Sequence, residues 1–202
     1  MSSKNGSSQI KSDAYPTPSH VVAALLKMVA FYATDTFLEP CRGIERNIYD
    51  QIPLPDNKKY WAELAEGVDY LTTPFQPVDV IITNPPFSLS EEFIGKCLSE
   101  LKPGGTFIFL QRVNFLGSIK RVDFWRKVGM PQKQSVIVPR PRFALGGTDS
   151  CEYAWFVYDL GNRTSRMEGP ISHCVADWSA VENYRHREAK KTSPTNAHTV
   201  KY

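Results

Sequence analysis

Apolar and polar positions alternate along this chain with two periods that interchange several times. Behind Ser19 as N-cap, Val22, Leu25, Leu26, Val29 and Ala30 recur at helical spacing, which predicts a first helix running to about Tyr32. DTFLEP then reads as a short strand ending at Glu39-Pro40, and Tyr60 to Leu64 as a second one after the turn-rich QIPLPDNKKY. VDVIIT, Val78 to Thr83, is a nearly unbroken β-branched run of the kind found in strands covered on both faces. SEEFIGKCLSEL sets Phe93, Cys97 and Leu101 on one helical stripe, and LKPGG is expected to close that helix before a further strand, TFIFLQ. A helix around Phe124-Trp125, a strand SVIVPR and a long aromatic strand EYAWFVYDL complete the periodic part. Strands alternating with helices predict an α/β fold with a mostly parallel sheet and helices on both faces. No internal repeat is visible.

The pattern fades at both ends. Residues 1–12 are small and polar and are expected to form a disordered lead-in. After about Gly161 the periodicity decays, and NYRHREAKKTSPTNAHTVKY reads as a mobile basic tail or a plain solvated terminus. The division expected is therefore a lead-in over 1–12, a catalytic domain over 13–161 and a C-terminal extension over 162–202.

Composition narrows the class. With 202 residues, 42% of them apolar, one good core fits and two do not. A net charge of +3, from 24 Lys and Arg against 21 Asp and Glu, argues for no strong overall field toward nucleic acid or membrane. Cys41, Cys97, Cys151 and Cys174 have neither paired spacing nor a nearby histidine pair, so no metal site and no disulfide framework is expected, and a reducing, cytoplasmic setting fits. The run VVAALLKMVAFYA contains Lys27 and falls short of the ~20 residues that cross a bilayer, and MSSKNGSSQIKSD lacks the apolar stretch of a signal peptide.

One stretch breaks the local rules. In ITNPPFSLS, Ile82 to Ser90, an amide and two prolines sit at the mouth of a buried strand, where Pro85 and Pro86 can continue neither a central strand nor a helix. Glu39-Pro40-Cys41-Arg42-Gly43 follows another strand. In an open α/β sheet the carboxyl ends of the strands face the ligand crevice, so both segments should meet there.

Together, DAYPTP (Asp13 to Pro18), FLEPCRG (Phe37 to Gly43), Glu63 and Asp69 in WAELAEGVDYL, NPPF at Asn84 and RPRF at Arg140 to Phe143 resemble the S-adenosylmethionine-dependent DNA adenine methyltransferases of the small orphan type, whose cofactor motif is N-terminal. NPPF alone is shared with protein-glutamine and RNA methyltransferases; the ordered set is more specific. The resemblance implies a Rossmann-like class I methyltransferase fold with a mostly parallel seven-stranded sheet and helices on both faces, S-adenosylmethionine as cofactor, and adenine in DNA as target. It also implies roles. Tyr15, Thr17 and Pro18 would meet the methionine carboxylate, Glu39, Pro40, Cys41 and Gly43 the methionine and ribose, Glu63 the ribose hydroxyls, and Asp69 the adenine amine. Asn84, Pro85, Pro86 and Phe87 would form the catalytic loop, and Phe143 would stack on the target base beside Arg140 and Arg142, which could meet phosphates.

The chemistry of that loop is intelligible. An aromatic amine is a poor nucleophile because its lone pair is delocalised into the ring. Two acceptors for its two hydrogens, the Asn84 side-chain oxygen and the Pro85 carbonyl, would aim the nitrogen, and the prolines would stiffen the loop that holds them. Phe87 offers a ring face for stacking. Inside a duplex the base has to be flipped out, unless it arrives single-stranded.

Other readings stand beside these. Glu63 and Asp69 would look the same on a solvated turn, and Phe143 the same as ordinary packing at a strand end. Lys120, Arg121, Arg126 and Lys127 around Phe124-Trp125 fit either a DNA-contacting surface or an amphipathic helix. RNA adenine and protein-glutamine methylation are the alternative reactions, and a degenerate nucleic-acid-binding subunit is the non-enzyme alternative. Few residues remain for target recognition, which points to a short or relaxed site, a homodimer or a separate recognition subunit. The chain departs from the family pattern at Gly43-Ile44-Glu45, which lacks a second glycine, and between Glu63 and Asp69, where no flanking helix fits.

Overall fold

The computed structural model describes residues 15–143 and 151–192. The expected lead-in, Asp13 and Ala14, and the end of the basic tail from 193 lie outside the described residues.

Seven strands form one sheet in the order β2-β1-β3-β4-β6-β5-β7. They are β1 Phe37–Glu39, β2 Lys59–Trp61, β3 Val78–Thr83, β4 Leu101–Arg112, β5 Lys133–Val138, β6 Tyr153–Asp159 and β7 Ile171–Val175. Only β6 runs against its neighbours, pairing antiparallel with β4 and β5, so the sheet is mostly parallel.

Successive side chains on a strand point to opposite faces, and here both faces are buried. On one face Val80, Ile82, Ile108, Leu110, Trp155 and Val157 pack beneath Val21, Val22 and Leu25 of helix α1, Ser19–Leu26. On the other Ile81, Phe107, Phe109, Ala154 and Phe156 meet Phe93, Ile94 and Cys97 of helix α2, Ser90–Ser99, and Trp125 of α3, Val122–Val128. Helices therefore cover both faces, as the alternation implies. The crossovers from β1 to β2 and from β2 to β3 carry only short 3-10 turns among the described residues, so the sheet is short of flanking helix where the Glu63–Asp69 spacing left no room.

Several boundaries differ from expectation. Helix α1 stops at Leu26 because the Ala30 amide donates to the Arg163 carbonyl (2.8 Å) instead of continuing the helical ladder. The second strand is Lys59–Trp61, which leaves Glu63 in the loop beyond it. LKPGG does not simply cap α2: β4 already begins at Leu101. The sheet also continues past Gly161, since Ile171–Val175 pairs in parallel with β5 as its outer neighbour. Trp178–Thr192 then forms a polar helix, α4.

The chain after β6 is fastened to the start of the fold by a buried ion pair. Arg163 donates from Nη1 to Asp35 Oδ2 (2.6 Å) and from Nη2 to Oδ1 (2.9 Å), with both residues buried. Desolvation offsets much of what such a buried fork-to-carboxylate pair contributes, but neither partner can return to water if the other is lost. Removing the carboxylate strands a buried guanidinium. We expect Asp35→Ala to lower unfolding free energy by about 3–5 kcal/mol in urea denaturation; a loss below about 1 kcal/mol, the level of an exposed pair, would contradict this assignment.

Candidate active site

Because β1, β2 and β3 are parallel, the residues that follow them emerge at one edge of the sheet. A cavity of about 370 Å³ lies there, within the range of small-molecule sites. It is lined by Tyr15 and Thr17 from the segment before α1, by Glu39 at the end of β1 and the residues after it to Asn47, by Glu63 and Asp69 after β2, and by Asn84 and Pro86 after β3. Residues scattered over positions 15 to 86 in sequence thus converge on one space. Pro18 is set apart from it: it precedes α1, and its carbonyl accepts from Val21 (3.0 Å) and Val22 (3.3 Å).

Gly43 has φ +68, a conformation that costs a residue with a Cβ about 1–2 kcal/mol. The missing second glycine is accommodated one residue beyond Glu45, where Arg46 takes a left-handed φ of +54 and pairs with Asp50 at 2.9 Å. The Gly43 amide donates to Glu63 Oε2 (2.8 Å), and the Ala65 amide donates to Glu63 Oε1 (3.0 Å). Glu63 therefore clamps the loops after β1 and β2 together, and each of its oxygens keeps acceptor capacity toward the cavity. Asp69 accepts from the Leu71 amide (2.9 Å) in a tight turn. Arg42 lies buried with its guanidinium 3.6 Å over the Trp61 ring and paired with Glu66. Arg42 lines the cavity, and Trp61, which the sequence did not single out, backs it through this ring contact.

Glu39 is almost wholly buried, and its Oε2 has no hydrogen-bond partner among the described residues. An orphaned acceptor beside a cavity suits a ligand that brings donors. Together with the carboxylates of Glu63 and Asp69, it fits a group rich in hydroxyl and amine donors such as S-adenosylmethionine.

The NPPF loop is pinned from both sides. Asn84 Nδ2 donates to the Tyr15 carbonyl (2.8 Å), and a carbonyl can only accept, so the carboxamide orientation is fixed. At its backbone, the Asn84 carbonyl accepts from Cys41 Sγ (3.0 Å), which also meets Thr83 Oγ1 (3.0 Å). Burial pushes the Cys41 thiol well above its ordinary range, so it stays protonated and able to donate. Cys41 serves the loop as much as the cavity. The Pro86 carbonyl takes the Leu89 amide (3.0 Å), and Ser90 Oγ reaches the Pro86 and Phe87 carbonyls at 3.3 and 3.2 Å. Of the four NPPF carbonyls, Pro85's alone has no donor among the described residues.

Pro85 and Phe87 lie beside the cavity lining rather than in it. Phe87 faces Tyr153 (centroids 6.0 Å apart), Tyr153 meets Phe143 edge-on (4.7 Å), and Phe143 meets Tyr15 (6.3 Å), which makes a chain of rings next to Asn84. Phe143 is thus both packed and adjacent to the site. Among the basic candidates, Arg140 pairs with Glu152, and Arg121 is committed to Glu91 (2.9 Å) and the Phe115 ring (4.2 Å). Lys120 and Arg142 are exposed.

No protein-family model and no curated protein matches this sequence. Solved structures do. A Listeria monocytogenes protein described as a class I S-adenosylmethionine-dependent methyltransferase superposes with TM-score 0.55 at 15% identity, covering 86% of this chain and 70% of that one. A modification subunit of a type I restriction enzyme from Vibrio vulnificus gives TM-score 0.54 at 15% identity over 95% of this chain and 55% of that one. A dimethyladenosine transferase from Plasmodium falciparum gives 0.51 at 15% identity over 72% and 62%. No helix among the described residues is long and apolar enough to cross a membrane.

Burial of Glu39 yields a pH test. Desolvation, the largest cause, raises its pKa well above the ordinary 4.5, so the folded chain holds this proton more tightly than the unfolded chain. The resulting stability is fully present below pH 4.5 and is lost as pH rises through the raised value. Glu39→Gln should remove that decline in urea midpoints measured across this range; parallel pH profiles for the two proteins would contradict the assignment. The order of the strands, the crevice at their carboxyl ends and the structural matches give this chain the Rossmann-like fold of the class I S-adenosylmethionine-dependent methyltransferases.

Proposed function

We propose that this protein transfers a methyl group from S-adenosylmethionine to the 6-amino group of adenine in DNA. The observation that carries the reading is the state of the two acceptors. Asn84 Nδ2 is taken by the Tyr15 carbonyl, which leaves the side-chain oxygen as the outward end of the carboxamide, and the Pro85 carbonyl has no donor among the described residues. A planar NH2 carries two hydrogens, and this loop presents two acceptors held by a rigid backbone.

The cofactor would supply a methyl group on a positively charged sulfur. The chain's residues bind and orient. Thr17 and Tyr15 line the cavity, with Tyr15 hydrogen-bonded to Asn84, and suit the methionine moiety; Glu63 suits a pair of ribose hydroxyls, and Asp69 suits the adenine amine. Pro40, Cys41 and Gly43 form the loop against the cofactor, and Gly43 gives its amide to Glu63. Asn84 and Pro85 accept the target amine's hydrogens and hold its nitrogen in line, an effect of orientation that needs no base to act before transfer. Phe87 and Phe143 supply ring surface for the base, and Lys120 and Arg142 supply exposed charge for phosphates. A base drawn from a duplex would have to be flipped out to reach the loop.

Incubation with labelled S-adenosylmethionine and DNA, RNA or protein extract, followed by digestion, identifies the methylated unit. We expect N6-methyladenine in DNA, with activity reduced by about 10²–10³ in Asn84→Ala. Label confined to RNA or to glutamine side chains would reassign the substrate. Label in no macromolecule above the Asn84→Ala level would overturn the reaction class.

A further inference from the structure

We propose that Asn47 is a positioning residue that couples the cofactor cavity to the catalytic carboxamide through the segment Tyr15–Thr17. The inference deepens the function proposed above and rests on it.

That segment behaves as a strap with two fastenings. At one end Asn47 Nδ2 donates to the Thr17 carbonyl (3.0 Å), and at the other the Tyr15 carbonyl receives Asn84 Nδ2 (2.8 Å). Asn47 itself is held in place, because its carbonyl accepts from Gln51 Nε2 (2.6 Å), which also reaches the Ser19 carbonyl and hydroxyl at 3.2 Å each. Asn47, Thr17 and Tyr15 all line the cavity, and Thr17 is only 4% exposed.

Both contacts run from a carboxamide to a carbonyl, so each needs an N–H donor and each sets the direction of its amide. Asn84 is thus held at its side chain by the strap and at its backbone by Cys41. Strap and Cys41 loop are both walls of the same cavity. A molecule filling the cavity restricts both walls and thereby restricts Asn84. The Tyr15 carbonyl sets which way the carboxamide faces, and stilling its residual motion is a cost of binding the target amine, so a filled cavity should strengthen amine binding, and by linkage the amine should strengthen cofactor binding equally.

A bare structural stitch would behave differently: its loss would lower thermal stability and leave the two ligands energetically independent of each other. The experiment therefore reads the coupling. The dissociation constant of S-adenosylhomocysteine is measured by calorimetry alone and with saturating adenine-containing single-stranded oligonucleotide, and the oligonucleotide's is measured with and without S-adenosylhomocysteine. In the wild-type protein each ligand should tighten the other by about fivefold or more, with equal factors in both directions. In Asn47→Ala and in the near-isosteric Asn47→Asp, which faces the Thr17 carbonyl with an acceptor, the factor should fall below about twofold. Asn47→Gln, which keeps a donor, should recover part of it, and this variant holds the test open if the others fold poorly.

Unchanged coupling in the folded Asn47 variants would overturn the proposal. So would a wild-type protein that methylates adenine yet shows no coupling, and that result would leave the proposed function standing. Absence of methyl transfer to any nucleic acid by the wild-type protein would overturn the proposed function, and this inference with it.

Discussion

The hydrogen bond from Asn84 Nδ2 to the Tyr15 carbonyl is the constraint on which the rest of the site depends. A carbonyl has no hydrogen to give, so the amide nitrogen must face it, and the orientation of the carboxamide follows without any further assumption. Everything around that bond serves to keep it. Pro85 and Pro86 limit the backbone, Cys41 holds the Asn84 carbonyl, and Ser90 closes the carbonyls of Pro86 and Phe87. Among the described residues these contacts leave the Pro85 carbonyl without a donor, and under the proposed function it and the carboxamide oxygen are the two acceptors for one planar amine.

The sheet explains why so small a chain can assemble this site. Parallel strands send Glu39, Trp61 and Thr83 to the same edge, so the segments that follow them meet there. The economy has local consequences. With only 3-10 turns in two crossovers, the cavity walls are loops rather than helix ends, and they hold their shape through Glu63, the Arg42–Glu66 pair and a left-handed Arg46. Asp35 and Arg163 secure the opposite end of the same arrangement. The ion pair, with the Ala30 amide on the Arg163 carbonyl, ends α1 and fixes the start of the strand that carries Glu39.

How much of this could be read from sequence depended on whether a residue's role is local or distant. Val78–Thr83 and the two aromatic strands announce themselves because both sheet faces are buried, and the doubled prolines after Thr83 mark the site by breaking a rule where folding gains nothing from it. Strand β7 was not legible: as an edge strand it buries only Cys174, and ISHCV carries no alternation. Helix α4 was equally silent, being polar nearly all round. The end of α1 depended on a partner 133 positions away, Arg163 to Ala30, which no local pattern contains. Asn47 and Cys41 follow the same logic. Their hydrogen bonds span 30 and 43 positions, so a reader sees an amide in a loop and a thiol in a motif, and only the fold reveals what each one holds.

A crystal structure of the protein with S-adenosylhomocysteine and an adenine-containing oligonucleotide addresses the central claim most directly. We expect the adenine amine nitrogen to lie at roughly 2.7–3.2 Å from both the Asn84 side-chain oxygen and the Pro85 carbonyl, with Asn84 Nδ2 still on the Tyr15 carbonyl. An amine seated elsewhere, or a carboxamide turned so that Nδ2 faces the base, would contradict the account.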